Sequence, residues 1–222
     1  MQLEHVHLDF SAESDRGPFP IPLDAAIQGG GPGANPTGGD RHLVVVQAGT
    51  RLLFEAFDAV RIPGGHRVSS AARWDLRTGA RRPEGWTSAD AVGLPIFPGL
   101  LRWDEVESGR ISHALRFTLP RGGGNYVHPA NPCVASAAPS PPFGLRVRLR
   151  ASFDETPYAA PTRVLLQALK RHGLIFADQG SAWSISGTSH PGFDVVLKDL
   201  RARPIPGAAF EVVALGERVT GC

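Results

Sequence analysis

Two short stretches of this 222-residue chain bring together the side-chain types from which catalytic and binding sites are made. Residues 85–90 read Gly-Trp-Thr-Ser-Ala-Asp, and residues 112–117 read Ser-His-Ala-Leu-Arg-Phe. Aromatic, carboxylate, imidazole and guanidinium groups stand there beside turn-forming residues, and loops on a rigid scaffold are where functional groups concentrate. This composition is more typical of a site than of a core.

Eight carboxylates are expected at strand ends or loop starts and are candidates for acid and base chemistry: Glu55, Asp58, Asp75, Asp90, Asp104, Glu105, Asp154 and Asp178. Two of them, together with one histidine, are preferred. Asp90 closes the first stretch, His113 lies in the second, and Asp178 follows the apolar run 174–177 and precedes Gly180. Imidazole titrates near neutral pH, and cleavage of most glycosidic bonds needs two carboxyl groups across the bond. Asp90, His113 and Asp178 are therefore the predicted catalytic residues. The alternatives are turn-forming aspartates and a hydrogen-bonded structural histidine.

Aromatic and polar side chains near these groups could form a substrate groove. Indole and phenol rings are flat apolar surfaces with a polar edge, which suits stacking on a sugar ring as well as packing in a core. The predicted substrate-binding residues are Trp86, Arg116, Tyr126, His128 and Trp183. On a strand, His113 and Arg116 would point to opposite faces, so both would line one pocket only if a bulge intervened.

A histidine pair near the N-terminus makes metal binding an alternative. His5, His7 and Asp9 alternate, so on a strand all three would face one side, and two imidazoles can hold zinc or copper when a third ligand joins them. The third ligand could come from His42, His113 or His128. A polar edge strand explains the same pattern. No metal ligand or cofactor is assigned, and a divalent metal at His5 and His7 is the lesser alternative.

Other catalytic signatures are weak. The chain has no Gly-x-Ser-x-Gly elbow, HExxH or CxxC motif, and the glycine-rich residues 29–33 lack the Gly-Lys-Ser/Thr ending of a phosphate-binding loop. Cys133 could act as a nucleophile only with a histidine folded beside it. Cys133 and Cys222 could pair in an oxidising compartment or stay as thiols in a reducing one.

Charge and hydropathy exclude two classes of partner. The 23 Lys and Arg residues against 21 Asp and Glu give no basic field of the kind that drives nucleic-acid binding. The arginines of residues 145–150 alternate with apolar residues, as on a strand with one solvated face. No stretch approaches the roughly 18 apolar residues of a membrane span, and the N-terminus lacks the regions of a signal peptide. Nothing in the sequence specifies an oligomeric state.

The scaffold is predicted to be mainly β, a sandwich or barrel, and residues 1–222 are predicted to form a single domain. Clusters drawn from 26 Gly and 20 Pro residues mark long loops between runs rich in β-forming residues. The predicted strands cover residues 42–47, 51–62, 68–76, 113–119, 143–153, 174–177, 182–186 and 208–215.

One long helix and one or two short helices are expected to pack on this β scaffold. The long helix has Thr162 as its N-cap, leucines at helical spacing and Gly173 just past its end. A second helix is predicted over residues 194–200, and a short turn begins at Asp104 and stops at Gly109.

Longer motifs extend over nearly the whole chain. They are Asp-Arg-Gly-Pro-Phe-Pro-Ile-Pro at 15–22, Gly-Asp-Arg-His at 39–42, the segment 85–100, His-Ala-Leu-Arg-Phe at 113–117, Ala-Asp-Gln-Gly-Ser at 177–181 and Ile-Pro-Gly at 205–207. Together they resemble a group of largely uncharacterised, predicted secreted bacterial proteins, sometimes found beside carbohydrate-associated modules. The resemblance implies no particular activity, and it favours an extracellular polysaccharide as the partner.

The chain departs from that group in two places. Where those proteins continue with a tryptophan and a later histidine, this chain has residues 126–132, in which His128 is the histidine. Those proteins also carry additional sequence before the region that matches residues 8–22.

These features predict a secreted, extracellular carbohydrate-active protein whose partner is a polysaccharide or oligosaccharide. The preferred hypothesis is a polysaccharide hydrolase, similar to glycoside hydrolases, with an Asp/His acid–base site. One alternative is a non-catalytic glycan-binding module, and another is a metal-dependent enzyme with a His5/His7 site. No nucleic acid and no membrane span are expected.

Overall fold

The computed structural model describes residues 10–31, 33–131 and 139–220. These residues form twelve β-strands in several sheets, three α-helices and three short 3₁₀ turns at Ser11–Glu13, Phe97–Gly99 and Gly207–Ala209. The fold is therefore mixed α/β, so the expectation of a mainly β protein is confirmed only in its strand content. The sandwich or barrel arrangement stays a prediction.

Internal contacts divide the chain into two compact units, Met1–Phe97 and Pro98–Cys222. Each unit has its own sheet and is described separately below. The single domain over residues 1–222 stays a prediction.

The first unit contains five strands. They are β1 (Leu43–Gln47), β2 (Leu52–Phe57), β3 (Val60–Ile62), β4 (Gly65–Arg67) and β5 (Ser70–Asp75). β2 is the central strand of an antiparallel sheet with the order β1-β2-β5, while β3 and β4 form a separate hairpin. The single strand predicted over 51–62 is thus two strands, because Asp58 adopts a left-handed conformation (φ 57°) directly after β2.

Both faces of β2 are buried. Phe54 and Ala56 belong to one apolar cluster with Phe19, and Leu53 belongs to another with Trp74. Because side chains alternate along a strand, the residue between Phe54 and Ala56 points to the Leu53 side and is buried as well. That residue is Glu55.

The second unit contains the helices and the larger sheet. Its elements are α1 (Trp103–Glu107), β6 (Leu115–Leu119), β7 (Asn125–Val127), β8 (Arg146–Leu149), α2 (Ala160–Arg171), β9 (Leu174–Gln179), β10 (Ser184–Ile185), α3 (Phe193–Ala202), β11 (Phe210–Val212) and β12 (Arg218–Thr220). The five-stranded sheet has the order β10-β6-β9-β8-β11, in which β6 and β9 are parallel and the other pairs antiparallel. β7 and β12 form a separate antiparallel pair. α2 packs against β8, α1 and α3.

The long helix agrees with its predicted span but not with its predicted cap. α2 ends before Gly173, which takes the expected left-handed conformation (φ 73°). Thr162 lies inside the first turn and is fully buried, so its predicted capping role is wrong. Asp199 of α3 does the capping instead: its Oδ2 accepts the Ala159 N–H at 2.7 Å and the Thr162 hydroxyl at 2.8 Å.

The two shorter helices are close to their predicted positions. α3 includes the whole predicted range 194–200. α1 begins at Trp103 rather than at Asp104, and no side chain caps it. Gly109 ends that turn in a left-handed conformation, as expected (φ 80°).

Candidate functional site

Asp90 is a buried turn residue of the first unit. Its exposed fraction is 2%, its Oδ1 accepts the Val92 N–H at 2.8 Å, and its own N–H donates to Ser88 Oγ at 3.0 Å. A side-chain oxygen that accepts a hydrogen bond two residues further along the chain is the mark of an Asx turn. The catalytic role of Asp90 stays a prediction, and its geometry is that of a turn-forming aspartate.

Trp86 contacts a buried arginine of the same unit. The guanidinium carbon of Arg82 lies 5.2 Å from the centroid of the Trp86 ring and 5.6 Å from that of Trp74. Arg82 also donates to Asp15 Oδ2 at 2.6 Å and to the Thr87 carbonyl at 2.7 Å. A cation over an aromatic face is a stabilising contact, so Trp86 contributes to the packing of this unit.

A groove of about 440 Å³ lies beside Arg82. Its lining includes charged residues of both signs, among them Asp15, Arg73 and Asp75. Asp15 pairs with Arg82, and Asp75 forms a bidentate pair with Arg77 at 2.9 and 2.7 Å. The two carboxylates of the groove are thus held by arginines of the protein itself.

Among the described acids of the first unit, Glu55 has the most perturbed pKa. It is one of the eight carboxylates expected at strand ends or loop starts, but it lies inside β2, and it is not one of the three preferred catalytic residues. Burial raises the pKa of Glu55 from 4.5 to about 7, against the lowering effect of the Phe97 and Ile96 N–H groups. Its carboxyl group accepts those two N–H groups at 2.8 and 3.0 Å and the Trp74 indole N–H at 3.1 Å. The sequence signal is a carboxylate in the middle of the apolar run 52–57.

His113 has both ring nitrogens engaged. Nε2 lies 2.9 Å from Glu105 Oε2, and Nδ1 lies 2.9 Å from the Ala114 carbonyl oxygen. Glu105 is held in turn by Arg102, whose Nη2 is 2.7 Å from Oε1. No ring nitrogen is left to take a proton from a substrate in this arrangement, which is that of a hydrogen-bonded structural histidine. The catalytic role of His113 stays a prediction.

The structure brings two of the predicted residues, Arg116 and Asp178, together. Arg116 Nη2 lies 3.8 Å from Asp178 Oδ2, and Arg116 Nη1 donates to Ser186 Oγ at 3.1 Å. The neighbouring strands β6 and β9 shift register after Phe117, so that Thr118 lies opposite Asp178. This bulge re-aims the end of β9 toward Arg116.

Tyr126 and His128 contact each other. Their rings meet edge to face at 5.9 Å between centroids. Tyr126 lies in β7, opposite Val219 of β12, and is 4% exposed, while His128 is exposed. Burial at this level makes Tyr126 a packing residue of the β7–β12 pair.

Trp183 is a predicted substrate-binding residue that lines a groove. This groove, the Trp183 groove, has a volume of about 550 Å³ and belongs to the second unit. One wall comes from α3 and is apolar: Phe193, Val196, Leu197 and Leu200. Another part comes from the segment after β9 and mixes apolar and polar residues: Trp183, Ser184, Ile185, Gly187, Thr188, Ser189 and His190.

Two rings fix the orientation of Trp183. Its indole stacks on Phe117 at 5.4 Å and 26°, and packs against Phe210 at 4.8 Å and 33°. The backbone N–H of Trp183 donates to the Thr118 carbonyl at 3.0 Å, and the residue takes a left-handed backbone conformation (φ 58°). The side chain nevertheless stays 41% exposed. It is therefore a rigid, partly solvated aromatic surface.

His190 is a second oriented ring of the Trp183 groove, and the sequence did not single it out. It stacks on Trp103 at 5.2 Å with an interplanar angle of 9°. Its Nδ1 accepts the Gly192 N–H at 3.0 Å, so the neutral ring carries its proton on Nε2 and can donate from there. Gly192 is needed because a Cβ at that position would lie 2.3 Å from the Trp103 ring.

Metal and thiol predictions fall mostly on residues without a described position. His5, His7, Asp9, Cys133 and Cys222 lie outside the described residues. Within residues 10–31, 33–131 and 139–220, no cluster of three or more His, Cys, Asp or Glu side chains could hold a metal ion. In the same part of the chain, no helix has the length and apolar character that crossing a membrane requires.

In comparisons with known proteins, no family model, curated protein or solved structure matches this chain.

Proposed function

We propose that this protein binds a neutral oligosaccharide in the Trp183 groove. The observation that carries the proposal is a packed indole, 41% exposed, in a largely apolar groove that also has hydroxyl and imidazole groups in its lining. None of the described residues that line the groove is Asp, Glu, Lys or Arg. A sugar ring has apolar C–H faces and a rim of hydroxyl groups, and both have a complement here.

The polar side of the groove has hydrogen-bonding capacity to offer. The hydroxyl groups of Ser184, Thr188 and Ser189 and the Trp183 indole N–H form no hydrogen bond with any other described residue. His190 adds a donor at Nε2. The groove's volume, about 550 Å³, lies within the range of small-ligand sites. A ligand with several hydroxyl groups would meet these side chains without forcing a charge out of water.

Binding is favoured over cleavage by the chemistry of the lining. Hydrolysis of a glycosidic bond in most families uses two carboxyl groups. Among the described residues that line the Trp183 groove there is no carboxylate. We therefore place the glycan-binding module ahead of the polysaccharide hydrolase.

One observation keeps the hydrolase as the second candidate. Arg116, which approaches Asp178, also bonds Ser186, and Ser186 stands in the sequence between the groove residues Ile185 and Gly187. Asp178 is thus connected to the groove wall through two side chains. Of the predicted acids, it is the one that this second candidate would use.

A secreted, extracellular location belongs to the same proposal. It is supported by the resemblance of residues 15–22, 85–100 and 177–181 to predicted secreted proteins. Detection of the native protein in culture medium against the cell pellet would test it.

Calorimetric titration with a panel of neutral oligosaccharides tests the binding proposal. We expect Trp183→Ala to weaken binding at least about tenfold, because the aromatic contact is lost. Ser189→Ala should weaken it a few-fold, since one hydrogen bond contributes about 1 kcal/mol. Ser181→Ala is the matched control, because Ser181 is in the same segment but does not line the groove. Equal affinities for wild type and Trp183→Ala would reject the site.

The same panel separates binding from hydrolysis. New reducing ends that disappear in Asp178→Asn would favour the hydrolase. Binding without new ends would favour the glycan-binding module. If no glycan of the panel is bound or cleaved, the carbohydrate proposal is wrong.

A further inference from the structure

The β3–β4 hairpin of the first unit sets an arginine opposite a histidine. Arg61 and His66 are directly paired across the hairpin, whose turn is Pro63-Gly64 with Gly64 left-handed (φ 82°). Residues that face each other on adjacent strands project to the same side of the pair. The guanidinium and imidazole groups therefore share one face.

Both side chains have buried nitrogens whose hydrogen bonds are not made within the described chain. His66 is 1% exposed, and neither Nδ1 nor Nε2 has a partner among the described residues. Arg61 donates from Nη2 to the Ala25 carbonyl at 2.8 Å, but its buried Nε and Nη1 have no partner there either. Four buried nitrogens on these two paired residues thus have no hydrogen-bond partner among the described residues.

The charge of Arg61 is also not balanced locally. Within the described residues no carboxylate forms an ion pair with it, whereas Arg41 of the same unit pairs with Asp58. Buried polar groups in proteins are almost always hydrogen-bonded, and a buried charge without a partner is costly. Burial and the nearby positive charge of Arg61 both lower the pKa of His66, which agrees with an excess of positive charge at this face.

The hairpin is held in place by a separate contact. Asn35 Oδ1 accepts the Arg61 N–H at 2.7 Å, and Asn35 Nδ2 donates to the Arg61 carbonyl at 3.1 Å. This two-point contact fixes the backbone from which the guanidinium projects. The donor groups are thus pre-organised, which reduces the entropic cost of binding a ligand.

We propose that Arg61 and His66 form a binding site for a small oxyanion, in the form of a phosphate, sulfate or carboxylate group. An oxyanion has several acceptor oxygens and a negative charge, so it satisfies the unpaired donors and the unbalanced guanidinium at once. A metal cation would be repelled by Arg61. The site lies in the first unit and does not depend on the function proposed for the Trp183 groove.

Thermal unfolding of the full chain in different sodium salts at equal ionic strength tests the site. We expect the Tm in phosphate, sulfate or acetate to exceed the Tm in chloride by about 5 °C or more when the anion is at roughly 100 times its Kd. The rank of the three anions shows which oxyanion chemistry the site prefers. Sulfate and phosphate also stabilise proteins non-specifically, so variants must separate the two effects.

His66→Leu and Arg61→Lys are the test variants, and Arg67→Gln is the matched control. Arg67 follows His66 on β4 and is exposed. We expect both test variants to lose the excess Tm in oxyanion over chloride, and Arg67→Gln to keep it. Arg61→Lys keeps the positive charge, so loss of the excess Tm in this variant would point to the guanidinium donors. Arg61→Lys alone tests the site if His66→Leu does not fold.

Two outcomes would overturn the site. The first is an anion effect of equal size in wild type and both test variants. The second is a Tm for His66→Leu that is higher than wild type in every salt, because replacing an unsatisfied buried polar group with an apolar one is stabilising when nothing binds there. Calorimetric titration of sulfate and phosphate into wild type gives the affinity directly.

Discussion

Glu55 is a carboxyl group that three hydrogen-bond donors hold in a largely apolar setting. Its donors, from Trp74, Ile96 and Phe97, stabilise the charged form, while burial stabilises the neutral form more strongly. Glu55 is buried because it lies on β2, a strand that is covered on both faces. A residue with this balance makes the stability of the first unit depend on pH.

We predict that the contribution of Glu55 to the free energy of unfolding falls as the pH rises from 4.5 to 7. In that interval the folded protein keeps the Glu55 proton and the unfolded chain releases it, because the folded pKa is about 7 and the ordinary value is 4.5. Glu55 thus lowers the free energy of unfolding by about 3 kcal/mol over the whole interval, and its contribution does not change further at higher pH. Urea denaturation between pH 4 and about 8 measures the slope.

Glu55→Gln is the variant for that measurement. An amide cannot ionise, so the slope attributed to Glu55 should disappear. The variant should also be less stable at low pH, since its NH₂ group faces backbone or indole donors. Parallel stability curves for wild type and Glu55→Gln would show that Glu55 titrates normally.

Gly192 leads to a second prediction at the scale of single residues. Its backbone (φ −58°, ψ −23°) suits any residue, so only the 2.3 Å approach of a new Cβ to Trp103 opposes substitution. We expect Gly192→Ala to cost about 1–3 kcal/mol by forcing the Trp103–His190 stack apart, and to weaken binding in the Trp183 groove. Thermal unfolding and calorimetric titration measure both effects. Gly216→Ala, which meets no atom within 4 Å, should leave both unchanged.

The sequence indicated some of the site residues and not their neighbours. Trp183 could be predicted from its type, and it lines the groove. His190 could not, because its orientation depends on Trp103, which lies far away along the chain. Likewise, the approach of Arg116 to Asp178 depends on a register shift between parallel strands, which local sequence patterns do not encode.

At the scale of elements, α3 supplies the group that caps α2. Asp199 accepts from the Ala159 N–H and the Thr162 hydroxyl, and these two hydrogen bonds, the backbone one first, hold its pKa below the ordinary value. A carboxylate at a helix N-terminus also interacts favourably with the helix dipole. The two helices are thus connected by a polar contact in addition to their packing.

We predict that Asp199→Ala lowers the Tm at neutral pH and that the difference from wild type shrinks in acid. A depressed folded pKa contributes stability above the ordinary pKa, and this stability is lost as the pH falls through the folded pKa. Thermal unfolding at pH 7 and at about pH 3 measures the change. Glu217→Ala, at an exposed position, is the control. A Tm loss that is equal at both pH values would contradict the capping role of the carboxylate.

Local sequence patterns predict the two longer helices but not the shortest strands. α2 follows from leucines at helical spacing and a glycine stop, and α3 ends before Pro204, as predicted. The three-residue strands β4, β7 and β12 were not predicted, because such short strands have no periodicity of their own. β7 pairs with β12 almost a hundred residues later in the chain, so this pair exists through tertiary contact alone. The sequence predicted the helices themselves, but it did not predict that their share of the fold would make it mixed α/β.

At the scale of the whole molecule, every residue of the Trp183 groove belongs to Pro98–Cys222. We predict that this unit, produced alone, keeps the oligosaccharide affinity of the full chain within about two- to threefold. A chain of that size can bury a core of its own. Circular dichroism checks its folding and calorimetric titration its affinity. A folded unit that has lost the affinity would show that the groove needs residues of Met1–Phe97.

The four tryptophans are divided evenly between the units: Trp74 and Trp86 in one, Trp103 and Trp183 in the other. Trp74 donates to Glu55, and Trp183 borders the groove. Each unit therefore contains its own intrinsic fluorophores. An emission change that follows the Glu55 titration and disappears in Trp74→Phe reports on the first unit. An emission change that follows sugar addition and disappears in Trp183→Phe reports on the second unit. A single unlabelled sample therefore reports on both units.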